Sequence, residues 1–275
     1  MKKLLKVLLA GAFALTLAGC GSTSDDSDDK TITVGATAVP HAAILNDVVK
    51  DLLAEDGWTL DVVEFTDYVQ PNTSLEDGDL DANYFQTLAY MEEQNEERSL
   101  SLVAVAGIHY EAMALYSNTV ESLDELEDGA TIAIPNDGSN ESRALALLAT
   151  NGLIELEDTD DLYTLQSITS NPHNFEFAEL EAANLPNNLA DVDGAVINGN
   201  YALDSGIIET AYTLVAEDFT DEEAEPYINY LVVKEGSEES EKTQALIAAL
   251  QSDEVAAYIE EQYGSSVVAK FTTVE

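Results

Sequence analysis

The chain has 275 residues, 54 of them acidic against 10 basic, a formal net charge of −44, and 45% hydrophobic side chains. That apolar share recurs periodically, which excludes an acidic disordered chain, and the length suffices for one large domain or two of ordinary size. The charge excludes nucleic acid as a partner, since that needs basic patches, and excludes unaided docking on anionic lipid.

The N-terminus, MKKLLKVLLAGAFALTLAGC, pairs the cations Lys2, Lys3 and Lys6 with an apolar run from Leu4 to Leu17. The run is too short for a membrane span and ends in small residues before Cys20. The pattern predicts a bacterial lipoprotein signal over residues 1–19. Cys20 becomes the lipidated start of the mature chain, held at the extracytoplasmic face of the cell membrane. Cys20 is the only cysteine, so no internal disulfide forms; a buried free thiol behind an ordinary signal peptide is the plainer alternative. Residues 20–30, with GSTSDDSDDK, read as an acidic flexible tether, which accounts for its aspartates without a calcium site. Acidity spread evenly along the chain predicts a saline habitat, where a Debye length of about 3 Å at molar salt screens the self-repulsion.

From Thr31 the pattern becomes structured. Ile32 to Ala36 alternates as a strand. Pro40 opens a helix whose apolar positions Ile44, Leu45, Val48, Val49, Leu52 and Leu53 recur at helical spacing, and Gly57 stops it. LDVVEFTDY follows as a second strand. PNTSLEDGDLDANYF reads as a helical turn, a stop at Gly78 and a short strand. SLVAVAGIHYEAMALYS reads as consecutive strands and TIAIPN as a buried one, followed by a helix starting near Asn140. FEFAEL, VDGAVINGNYALDSG and YINYLVVKEG continue the alternation. Helices over Lys242–Leu250 and Asp253–Tyr263 precede a closing SSVVAKF. Strand–helix–strand alternation predicts an α/β fold with a largely parallel sheet, in two blocks with the second inserted into the first.

Enzyme signatures do not emerge. The sequence holds no G-x-S-x-G elbow, no G-x-G-x-x-G and no Walker A loop. The histidines His41, His109 and His173 are far apart in the chain, and none is obviously in a cleft. Asp77, Asp79 and Asp81 mimic the start of an EF-hand loop, but Ala82 and Leu88 stand where its glycine and glutamate belong. No catalytic group, metal or cofactor is implied. Binding chemistry is better represented. Arg143 is one of two arginines and sits in the first turn of a helix, where it opposes the helix dipole. It pairs with a carboxylate: that of a bound ligand, or that of one of the chain's own acids. Tyr68, Tyr84, Phe85 and Tyr90 cluster, and strand alternation sends Tyr84 and Phe85 to opposite faces, one to the core and one to a cleft. Asn198, Asn200 and Asn229 follow or lie in buried strands; they suit an ammonium and a carboxylate together, and turn chemistry is the alternative for Asn200 beside Gly199.

TVGATAVPHAAIL, VEFTDYVQPN, LDANYFQTLAY, GATIAIPNDGSNESRAL, LEAANLPNNLADVDGAVINGNYAL and LQSDEVAAYIEEQYGSSVVAKF resemble the methionine-binding lipoproteins of ABC importers, the MetQ/NlpA family, over nearly the whole mature chain. The resemblance implies a periplasmic-binding-protein fold of type II, with two α/β lobes, a ligand cleft between them, and two crossover strands near His109–Tyr116 and Tyr227–Val233. Lobe 1 is then 31–110 plus 232–275, and lobe 2 is 111–231. It further implies that Tyr68, Phe85 and Tyr90 wrap a thioether, while Asn140, Arg143, Asn198 and Asn229 hold carboxylate and amine. The family commonly reads NYFQH; here Thr87 takes the histidine's place, which widens the pocket. The expected ligand is L-methionine; a methionine dipeptide, a methionine derivative, another neutral amino acid, or a non-transport role as a surface enzyme or adhesin are the alternatives. The implied partners of this monomeric receptor are an ABC permease and its ATPase.

Overall fold

The computed structural model describes residues 30–218 and 225–274. The expected signal peptide, Cys20 and the tether up to residue 29 lie outside the described residues. The strands, in chain order, are β1 (Thr31–Thr37), β2 (Thr59–Phe65), β3 (Ala82–Thr87), β4 (Leu102–Glu111), β5 (Ala114–Ser117), β6 (Thr131–Pro135), β7 (Glu155–Leu156), β8 (Ile168–Ser170), β9 (Glu176–Leu180), β10 (Gly194–Ile197), β11 (Tyr212–Ala216), β12 (Ile228–Lys234) and β13 (Val267–Thr273). The helices are α1 (Lys50–Glu55), reached through helical turns at Ala38–Ala42 and Leu45–Val49, then α2 (Val69–Asp77), α3 (Leu88–Arg98), α4 (Gly138–Thr150), α5 (Leu185–Asn188), α6 (Gly199–Asp204), α7 (Ile207–Thr210), α8 (Glu241–Leu250) and α9 (Asp253–Tyr263).

Two sheets organise the molecule. The larger runs β13-β4-β12-β3-β1-β2 and the smaller β11-β5-β10-β6-β9; β7 and β8 form a separate ribbon. In the larger sheet β1 lies between β2 and β3, parallel to both, and β12 then runs antiparallel to β3. In the smaller sheet β6 lies between β9 and β10, parallel to both, and β5 runs antiparallel to β10. The same order is thus built twice. Each parallel core needs cover on both faces. In β10, Val196 faces one apolar cluster with Leu145 and Leu148, while Ala195 and Ile197 face another with Leu185 and Tyr201.

Local chemistry sets the element ends. Gly78 stops α2 at φ 83°, a left-handed conformation that side chains disfavour. Thr87, Ser240 and Ser252 cap α3, α8 and α9 by accepting backbone N–H bonds. Helix α4 starts at Gly138, two residues before the expected Asn140, because the Asp137 carboxylate accepts Asn140 N–H at 3.0 Å and fixes the N-cap one turn earlier. The second strand ends at Phe65, so Tyr68 stands at the N-cap of α2 and not in a strand.

The chain passes from the larger sheet to the smaller between Glu111 and Ala114, and returns before Ile228. The expected lobe bound at 231/232, and the expected crossover over Tyr227–Val233, fall differently: β12 lies wholly within the larger sheet. It pairs with β3 on one side and β4 on the other, and Ile228–Val233 are all buried. An interior strand bonded along both edges belongs to the sheet that buries it.

Candidate functional site

The parallel strands β1, β3, β6 and β10 aim their carboxyl ends at the junction of the two sheets, the place where open α/β sheets bind ligands. A cavity lies there, lined by side chains from both sheets' lobes. One end is aromatic. Tyr68, Phe85 and Tyr90 face one another with ring centroids 5.6–6.1 Å apart. The β3 alternation separates Tyr84, wholly buried in the core, from Phe85, which lines the cavity. Tyr68 also stacks on Tyr201 of α6 at 4.8 Å and donates a 2.6 Å hydrogen bond to Asn200 Oδ1, so the aromatic wall reaches the lobe of the smaller sheet. Thr87 lines the cavity while its hydroxyl oxygen caps α3 by accepting Tyr90 N–H.

The other end is polar. Asp137 accepts from Asn140 Nδ2 at 2.7 Å, and Asn140 Oδ1 accepts from Asn198 Nδ2 at 2.7 Å. A carboxylate only accepts, so this relay fixes both amides and leaves Asn198 Oδ1 facing inward. That oxygen is buried and meets no donor among the described residues. Arg143 is buried, and its charge is already matched: Nε and Nη2 reach the two oxygens of Glu217 at 2.7 and 2.5 Å, and Nη2 also donates to the Glu111 carbonyl at 2.9 Å. The guanidinium lies 4.3 Å over the Tyr227 ring. Burial disfavours the charged guanidinium, but the Glu217 carboxylate outweighs it and holds the arginine firmly protonated. Of the two pairings open to Arg143 in the sequence, the internal one is therefore formed, with Nη1 outside these bonds.

Behind the polar end lies a cluster that the sequence did not suggest. His41 and His109, expected to be isolated, sit with ring centroids 5.0 Å apart. His109 Nε2 donates to Glu111 Oε1 at 2.8 Å, and its Nδ1 takes the Tyr84 hydroxyl. His41 Nδ1 takes the Thr37 hydroxyl at 2.8 Å; its Nε2 lies 3.1 Å from Asn229 Oδ1 and 3.4 Å from Glu111 Oε1. Burial lowers the His41 and His109 pKa values to about 4 and about 3, so both rings are neutral at pH 7. Burial pushes Glu111 up to about 7, against the pull of His41, Arg143 and the Asn200 backbone N–H. Donor atoms of His41, His109 and Glu111 lie within 4.8 Å of one another, as a metal site requires. Each ring nitrogen is already spent on a protein partner. His41 also orients Asn229: its Nε2–H holds Oδ1, which leaves Nδ2 for the cavity.

All eight residues expected at a binding site line this one cavity: Tyr68, Phe85, Thr87 and Tyr90 at the aromatic end, Asn140, Arg143, Asn198 and Asn229 at the polar end. Asn200, for which the sequence leaves turn chemistry as the alternative, lines it as well, and so do Gln86, Glu111 and Gly199, which the sequence does not single out. For Glu111 there was no signal, because one glutamate among 54 acids carries no mark.

Two lobes of repeated sheet order, enclosing a cavity with an aromatic end and an amide-rich end, define a two-lobed solute-binding protein. The chain belongs to the NlpA lipoprotein family, whose model matches residues 32–271. It is 39% identical over 247 residues to the D-methionine-binding lipoprotein MetQ of Escherichia coli, covering 88% of each chain. A nutrient binding protein from Burkholderia cenocepacia, solved bound to methionine, superposes with a TM-score of 0.82 at 39% identity over 87% of this chain and all of that one. A periplasmic substrate-binding protein of an ABC transporter from Coxiella burnetii gives a TM-score of 0.80 at 36% identity, covering 87% of this chain and 100% of that one. Among the described residues no helix is long and apolar enough to cross a membrane.

Proposed function

We propose that this protein is a lipid-anchored extracytoplasmic receptor of an ABC importer, which closes its lobes around methionine and presents it to a permease and its ATPase. The observation that carries the reading is the two-ended cavity. A flexible thioether fits the Tyr68, Phe85 and Tyr90 wall, where each sulfur–aromatic contact contributes about 0.3–1.5 kcal/mol. The amides of Asn140, Asn198 and Asn229, with Arg143, suit the zwitterionic end. A zwitterion also enters without repulsion from a chain of net charge −44. The lobes are read as following the two sheets, with β4 and β12 in lobe 1. The receptor acts as a monomer, anchored through Cys20, and carries out no catalysis.

Thermal unfolding tests this. The full chain is purified in detergent and freed of retained ligand by unfolding and refolding. L-methionine, D-methionine, methionine dipeptides and other neutral amino acids are then scanned. Ligand at about 100 times its dissociation constant adds roughly 2.7 kcal/mol. A shift with methionine that vanishes in Arg143→Ala supports the reading. A shift with a dipeptide alone means that Thr87 has re-specified the pocket, and no shift with any compound sinks the transport reading.

A further inference from the structure

Gln86 lines the cavity, yet its amide is bonded inside the protein. Nε2 donates to Asn72 Oδ1 at 2.6 Å and to Asn83 Oδ1 at 2.9 Å, while Oε1 accepts from Asn72 Nδ2 at 2.8 Å. Asn83 Nδ2 closes the circuit on Asn72 Oδ1 at 2.8 Å and also reaches the Pro71 carbonyl at 3.3 Å. All three amides are at most 2% exposed, and none of their buried polar atoms lacks a partner. Burying amides costs free energy that only such complete pairing offsets, and apolar side chains would fill the space as well. What apolar packing does not supply is direction.

The strand pairing shows what the circuit directs. Asn83 and Gln86 are three positions apart, and in a regular strand they would point to opposite faces. They meet because Tyr84 pairs with Leu231 and Gln86 with the adjacent Tyr230, which makes Phe85 an extra residue with no partner on β12. A bulge of this kind re-aims side chains, and the one it presents here is Phe85, in the cavity wall. The bond between Asn83 and Gln86 spans the bulge. Asn72 then ties the bulge to α2, whose N-cap is Tyr68. The buried residues of α2 are Pro71, Asn72 and Leu75, so the turn nearest Tyr68 is fastened to β3 through Asn72 and the Pro71 carbonyl.

We propose that Asn72, Asn83 and Gln86 are positioning residues for the ligand's side chain. Their amide circuit clasps the Phe85 bulge to the start of α2, and so fixes how Phe85 and Tyr68 face one another, with ring centroids 5.7 Å apart. This rests on the receptor reading above and adds the device that makes its aromatic end selective. A sulfur–aromatic contact depends on where the ring stands relative to the sulfur, whereas burial of a methylene is non-directional. A wall held in place therefore tells methionine from norleucine, its equal in length with a methylene for the sulfur. A loosened wall buries the two alike.

The test is calorimetry on the full chain with L-methionine and L-norleucine. The native chain should prefer methionine at least about fivefold. In Asn83→Ala and in Asn72→Ala the preference should shrink to about twofold or less, because the bulge or the helix turn is released. Residues that only held the fold together would weaken both ligands equally and leave the ratio as it was. The single changes orphan buried amides. The triple variant Asn72→Leu, Asn83→Leu, Gln86→Leu removes every member of the circuit at once and should show the same loss of preference. A native ratio in any of these variants that folds overturns the proposal and leaves the receptor reading intact, as does a native chain that does not distinguish the two ligands. If none of them folds, hydrogen exchange of the Gln86 side-chain amide in the methionine-bound native chain decides. The circuit predicts protection of at least about a hundredfold over a free amide, and exchange at the free rate overturns it. Failure of the native chain to bind methionine removes the receptor reading and this one together.

Discussion

Glycine at position 138 is the point at which a single methyl group reports on lobe closure. Glu93 projects from α3, in the lobe of the larger sheet, and accepts Gly138 N–H at 2.7 Å and Ser139 N–H at 3.0 Å. Those donors open α4, in the other lobe, so a carboxylate from one lobe caps a helix of the other across the cleft. A Cβ at residue 138 would sit 2.5 Å from Glu93 Oε1, and Gly138→Ala therefore displaces the carboxylate. Hydrogen bonds to a charged group contribute about 1.5–3 kcal/mol each when buried. Glu93 is half-buried and water recovers part of the loss, so about 1–3 kcal/mol is expected in all. Because these bonds need both lobes together, the loss falls on the closed form. Methionine affinity should drop about 5- to 150-fold, chiefly through faster dissociation, although Gly138 does not line the cavity. Stopped-flow dissociation with calorimetry reads the effect, and small-angle scattering follows the lobes. A dissociation constant within about twofold of the native one would refute the reasoning.

Further outcomes are open to measurement. Glu217→Ala strands the Arg143 guanidinium in a buried site; breaking such a pair costs about 3–5 kcal/mol, and the melting temperature should fall by about 6–20 °C. His41 and His109 stay neutral in the fold down to about 4 and about 3, whereas in the unfolded chain they charge below about 6.5. The unfolded state then binds more protons, so their contribution to stability is lost as pH falls below 6.5. Glu111, protonated in the fold up to about 7, works the other way between about 4.5 and 7. Two histidines outweigh one glutamate, so His109→Gln should show a shallower acid limb in melting temperature than the native chain, and equal limbs would contradict this. With a net charge of −44, the melting temperature should climb from low to molar salt as repulsion is screened; a flat response would remove the case for a saline habitat.

The sequence by itself determined what local chemistry dictates. Alternation along Ala82–Thr87 separates Tyr84 from Phe85 without reference to any other segment, because a strand's geometry sends neighbours to opposite faces. Gly78 and the helical apolar spacing beyond Pro40 are likewise self-contained, and the α/β alternation follows from them. The family resemblance carried the eight cavity residues, since their motifs are short contiguous runs. Tertiary structure decided the partners. Arg143 meets a glutamate 74 positions away, and His41 meets an asparagine 188 positions away. Nothing in the local sequence of Glu111 or Glu217 sets them apart from the other acids. The resemblance implies a crossover near Tyr227–Val233, whereas the pairing of β12 along both edges within the larger sheet is visible only in the fold. The physical reason is common to all of these: a carboxylate at the surface is screened and nearly indifferent to its neighbours, while the same group out of water must be matched by a specific donor or charge. Burial makes that distinction, and burial is a property of the packed chain rather than of any stretch of it.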